Sequence, residues 1–195
     1  MSGTKSSGIT VMHLVMFAVS FGLLTVGSWF ALTFSVGIPG VTSFFWPEAL
    51  IVAFSTWFGV WAILAIIPAV GLGGTMAGSA ALFSFVLALL VPMEGILPAA
   101  AFRVLGANPE LKSKRDWGIF LGMSIIGTSI AAAFGICVEV VFGYIPGFFT
   151  PAWWIGWLAW ALGDFLMAAI LGSLILKGLT PVVKRAGLYL KTWWH

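Results

Sequence analysis

Charge is scarce in this chain. Asp, Glu, Lys and Arg make up 8% of its 195 residues, against about 25% in a typical soluble domain. Together with 61% hydrophobic residues and a mean hydropathy of +1.12, that scarcity excludes a water-soluble globule. It indicates an all-α, polytopic integral membrane protein. Thiols are scarcer still. Cys137 stands alone, so neither an intrachain disulfide nor a thiolate metal cluster can form. With only His13 and His195 beside it, no ligand set for zinc or haem is visible. There is no nucleophile–base pair, phosphate loop or metalloprotease motif, so neither an enzyme nor a cofactor is expected. The N-terminal MSGTKSSG is too polar and too short for a signal peptide. The length suits one transmembrane domain, 1–195, with no room beside it for a soluble catalytic or signalling domain.

What is abundant is apolar sequence. Segments at 9–36, 47–72, 77–102, 117–143 and 152–177 each hold about 25 to 28 residues, enough to cross about 30 Å of hydrocarbon. Charge argues against a simple count of five spans. The nine basic residues fall at Lys5, in the loop from Arg103 to Arg115, and from Lys177 to Lys191. The positive-inside rule places all three groups on the cytoplasmic face, and this use of the basic residues leaves no nucleic-acid footprint in the net charge of +3. An even number of crossings must then separate the first two groups. Breaking 47–72 near Trp57-Phe58-Gly59 supplies it. The expectation is six helical elements, 9–36, 47–57, 60–72, 77–102, 117–143 and 152–177, the second and third short and both termini cytoplasmic. Outer turns fall at 37–46, 71–76 and 143–154. One continuous helix over 47–72, with the charged loop outside, is the alternative.

The acids carry most of the functional information. Glu110 and Asp116 lie in the basic loop and read as solvated charges, while Arg103 and Lys177 read as snorkelling from inner helix ends. Glu48, Glu94, Glu139 and Asp164 lie in or at the edges of membrane segments with no base at that depth. Such a carboxylate costs several kcal/mol unless it is protonated, paired or hydrated, which makes it a candidate site. Glu48 follows Pro47, where a helix start also favours an acid, and Glu139 also fits an acid reaching the outer interface. Asp164 falls near the midplane. Glu94 lies in VPMEGILP, where Pro92, Gly95 and Pro98 loosen the helix toward a cavity. Trp157, Trp160 and Asp164 follow at i, i+3 and i+7 on one helix face. Two indoles and an acid suit a flat or cationic ligand, over which Phe44, Phe45 and Trp46 are placed to close. Anchoring of that loop in the headgroups is the competing use of these aromatics. Trp153 and Trp154 fit an interfacial belt, and His13 reads as structural. Ala18 with Gly22, at small-xxx-small spacing, permits close contact with another helix.

The stretches FWPEALIVAF and WWIGWLAWALGDFLMAAIL resemble two features of vitamin-uptake-like and membrane-associated sensor domains: the Trp-Pro lead-in to their second helix and their Trp-rich final helix with its Gly-Asp step. With six short helices and Gly/Pro-rich outer loops, the chain also resembles the substrate-binding S-components of energy-coupling factor (ECF) vitamin transporters. That resemblance implies an outward-facing pocket for a vitamin-like molecule, roofed by the first outer loop. It also implies contact of Ala18 and Gly22 with a partner transmembrane subunit, an ATPase subunit completing the system in the cell membrane. No cytoplasmic signalling module follows His195, so a self-contained sensor is not expected. From charge, the expected ligand is cationic or aromatic, thiamine-like rather than anionic. Two other functions remain open: an accessory subunit of a larger membrane complex, and a proton- or cation-coupled carrier using Glu94 and Asp164.

Overall fold

The structure, a computed structural model, describes residues 9–34, 42 and 44–194. Within them the chain is all α. Helix α1 (Val11–Thr33) is followed by α2 (Glu48–Phe58), α3 (Val60–Met76), α4 (Ala81–Ala88) and α5 (Pro92–Val104). Then come α6 (Lys114–Val141), α7 (Pro151–Met167), a π-turn (Ala168–Gly172) and α8 (Ser173–Arg185). Four stretches are long and apolar enough to cross a membrane: α1, residues 81–104, α6, and residues 151–185. Leu14, Val26, Phe30, Leu162 and Leu174 are among the large apolar side chains left exposed on them, as expected of lipid-facing helices.

The expected break after Trp57-Phe58 is present. Gly59 separates α2 from α3 with φ 55° and ψ −130°, a backbone conformation nearly closed to residues with a Cβ. Helix α2 has 11 residues, about 16 Å of rise, and cannot span alone. It begins deep in the bundle, with the backbone leading into it tucked against α1: the Trp46 ring faces Gly27. The chain therefore dips into the bundle, descends along α2, turns at Gly59 and returns along α3. Helix α3 runs on to Met76, so the expected turn over 71–76 is instead helical. Gly71 and Gly74 there let Phe85 and Ser84 of α4 approach closely, and the turn falls at 77–80. The expected single helix over 77–102 is two. Pro92 lacks an N–H and opens α5 at its first position, and residues 89–91 form the connecting turns.

Contacts sort the element ends into two groups. At one end His13 stacks on Trp61 with ring centroids 4.7 Å apart, and the Trp61 and Trp194 rings meet edge to face. Arg103 also lies there, so the start of α1, the α2–α3 turn, the end of α5 and the chain terminus are neighbours. Lys184 pairs with Glu110 at 2.7 Å, adding the 105–113 loop and the end of α8. Eight of the nine basic residues occupy this end, Lys5 lying outside the described residues. At the other end Phe83 packs on Phe142 and Tyr144.

The basic end is tied by Arg103, which does not snorkel away. Its guanidinium donates to the carbonyls of Thr56 (2.9 Å), Ala99 (3.0 Å), Thr192 (3.3 Å) and Leu190 (3.4 Å) and lies 4.5 Å over the Trp193 ring. Leu190 N–H donates to Trp57 O at 2.8 Å and Val60 N–H to Trp193 O at 3.1 Å. The last carbonyls of α2, which have no partner within their own helix, are met by a cation and by the terminal segment. Asp116 is not solvated either. Buried in the first turn of α6, it accepts from the N–H groups of Asn108 and Ser113, both at 2.8 Å, and completes a capping box with Ser113. Lys112 and Lys184 hold the Glu110 carboxyl below the usual glutamate range.

Candidate functional site

Glu94 and Asp164 sit at matching depths. Each lies 13 positions into a stretch that starts from the non-basic end, 81–104 for Glu94 and 151–185 for Asp164, about 20 Å of rise at helical spacing. Glu48 opens α2 and Glu94 occupies the third position of α5. Two helices thus begin inside the bundle, each with an acid at its N-terminus, where the dipole favours negative charge. The Glu94 carboxyl meets that of Glu48 on one side and that of Asp164 on the other. The Trp160 indole is within reach of Glu94 and Asp164, and the Phe45 backbone turns toward Asp164. All three acids are at least 98% buried: Glu48 is 0% exposed, Glu94 1% and Asp164 2%. Beyond one another and the Trp160 indole, both carboxyl oxygens of Glu48 and Glu94 and one of Asp164 have no hydrogen-bond partner among the described residues.

A cavity of about 190 Å³ ends on this cluster, larger than the roughly 150 Å³ that accommodates benzene in an apolar protein interior. It starts at the non-basic end, between Leu32 at the close of α1 and Ala77 and Ser79 after α3. Its deeper wall carries Phe45, Trp160, Glu94 and Asp164. The two carboxyl groups therefore lie at the bottom, with Phe45 and Trp160 beside them. Ser84, buried and without a side-chain partner, lines the middle. Among the described residues no group of three His, Cys, Asp or Glu has the arrangement of a metal site.

Of the residues singled out from sequence, Asp164, Glu94, Trp160 and Phe45 line the cavity, and Glu48 backs Glu94 from outside it. The others lie elsewhere. Trp157 donates from its indole N–H to Ser129 O of α6 at 3.0 Å, so the shared helix face splits: Trp157 seals α7 against α6, and Trp160 turns toward the acids over Gly135. Trp46 packs against α1, and Phe44 is exposed. Glu139 neither reaches the outer interface nor joins the site. It is 0% exposed at the far end of α6, where its backbone carbonyl accepts from Tyr144 N–H at 2.9 Å. Trp153, expected in an interfacial belt, is buried against Ile136 and Ile145, while Trp154 is exposed. Ala18 and Gly22 are exposed on α1, and a Cβ at Gly22 would meet nothing within 4 Å.

Thr42, Ser79 and Ser84 escaped the sequence reading. The signal that could have pointed to them is Gly71 and Gly74, whose bare backbones admit α4. No family model, curated protein or solved structure matches the chain.

Proposed function

We propose that this membrane protein captures a small organic cation with a flat apolar body, as the solute-binding subunit of an uptake system in the cell membrane. One observation carries the reading. Glu94 and Asp164 close a cavity large enough for an aromatic ring, and among the described residues no lysine, arginine or histidine stands beside them to neutralise them. A buried carboxylate without such a partner is neutralised either by a proton or by a cation brought to it. Phe45 and Trp160 supply the faces on which an aromatic or quaternary ammonium ligand is held. A vitamin-like compound of this charge fits the description.

On this reading the basic end faces the cytoplasm and the cavity opens outward. The ends of α2 and α5 inside the bundle suit a substrate site, because discontinuous helices bring polar groups to mid-membrane depth where they line a cavity. The open surface at Ala18 and Gly22 gives a partner subunit a place to approach α1 closely.

Native mass spectrometry of the protein, released from its own membrane in a mild detergent, tests the reading. The expected spectrum shows a small cationic mass on the wild type. Asp164→Asn, which stays folded, weakens its retention at least about tenfold, the cost of losing one buried charge pair. Stoichiometric large partners with no small mass would favour an accessory subunit and overturn the capture reading.

A further inference from the structure

Glu48, Glu94 and Asp164 form a row, not a ring: Glu94 touches both neighbours. Two carboxyl groups hold an oxygen–oxygen contact only with a proton between them, since two buried carboxylates repel. With one proton shared at each of its two contacts, the row would hold two protons among three acids and one negative charge. That charge sits where α2 and α5 present their N-termini.

Among the described residues no base competes for it. From the elements packed around Glu94, the facing titratable groups are Glu48 of α2 and Asp164 of α7. Helices α3 and α4 contain no charged residue or histidine. Helix α6 turns Gly127 to the Glu94 backbone, its own charged residues standing in its first turn and at Glu139. His13 of α1 is at the basic end against Trp61, as are the basic residues of α8.

Only one of the two shared protons borders the cavity. Glu94 and Asp164 line it and Glu48 does not. We propose that the site exchanges one proton for one cation: a singly charged organic cation enters the cavity as the proton between Glu94 and Asp164 leaves. The proton passes to bulk water through the cavity mouth, and the cation takes its place between the two carboxylates. The charge of the cluster stays at minus one before and after, so the step avoids burying a second net charge in the membrane interior. Glu48 keeps its own shared proton and acts as a positioning residue that fixes Glu94.

This inference rests on the cation-capture reading, and the test separates the two. The probe is benzyltrimethylammonium, a permanent cation with one aromatic ring and no proton of its own to release. It is titrated calorimetrically into the purified full chain in buffers of different ionisation enthalpy, at several pH values. The expected result is release of about one proton per cation, with Kd falling about tenfold per pH unit through the titrating range. Asp164→Asn leaves no second acid beside Glu94 on the cavity side, so it binds more weakly and releases no proton. Binding by the wild type without proton release, at a Kd independent of pH, overturns the exchange and leaves the capture reading standing. The same proton count in wild type and Asp164→Asn overturns the assignment to the Glu94–Asp164 pair. No binding at any pH overturns both.

Discussion

Replacing Gly59 with alanine is the sharpest test of how the basic end is built. At φ 55° and ψ −130° an L-residue sits in a sparsely populated region, at a cost of about 1–3 kcal/mol. The new Cβ would stand 2.5 Å from Trp193 O and 3.1 Å from Trp193 C, so the terminal backbone must withdraw. Withdrawal breaks the Val60 N–H to Trp193 O bond, worth about 1 kcal/mol. The sum is about 2–4 kcal/mol. At about 2–4 °C per kcal/mol for a chain of this size, the melting temperature falls by about 4–16 °C. Tryptophan fluorescence during heating in detergent reads it directly, since Trp57, Trp61, Trp193 and Trp194 surround the turn. Gly118→Ala is the control, because its Cβ would meet nothing within 4 Å and helical alanine gains about 0.5–1 kcal/mol over glycine. A Gly59→Ala protein melting within about a degree of wild type would refute the strained turn and the close approach of the terminal segment together.

Two other predictions follow from contacts. Gly135→Ala puts a Cβ 2.5 Å from the Trp160 ring; overpacking of about 1–3 kcal/mol pushes the indole toward the acids, and the affinity for benzyltrimethylammonium falls several-fold, whereas unchanged affinity would remove Trp160 from the site. Arg103→Lys keeps the charge but not the planar fork that reaches several carbonyls, so the terminal segment loosens and trypsin cleaves after Lys191 about tenfold faster, an unchanged rate refuting the tie.

How much of this was legible in the sequence varied from residue to residue. The class, the break at Gly59 and the gathering of basic residues could be read because each follows from a local rule: apolar length, glycine, and the placement of Lys and Arg. Glu94 and Asp164 stood out because an acid in an apolar run has few uses. The divergence of Trp157 from Trp160 could not be read. Helical periodicity gives a side chain's direction, but whether an indole meets a carbonyl of α6 or a cavity depends on the neighbouring helix. Asp116 was misjudged because a capping acid and a solvated one look alike in a charged loop. Glu139 was misplaced because the turn after α6 folds back over it. Arg103 looked like a snorkelling residue because the unpaired carbonyls it meets exist only once α2 has ended inside the bundle.

The π-turn at Ala168–Gly172 sets the azimuth of everything after it. Asp164 and Thr180 both face inward, the latter accepting from the Trp57 indole N–H at 2.9 Å. They are sixteen positions apart, which in an unbroken α-helix at about 100° per residue leaves them about 160° out of phase. The extra residue in the wide turn takes back about 100°, and the two come to within about 60° of each other. Closing the wide turn into regular α-helix with every residue kept would therefore swing Thr180 by about 100° toward lipid, whereas deleting one residue within 168–172 would leave fifteen regular positions and the same offset of about 60°. In this segment the width of one turn, more than residue identity, carries the information.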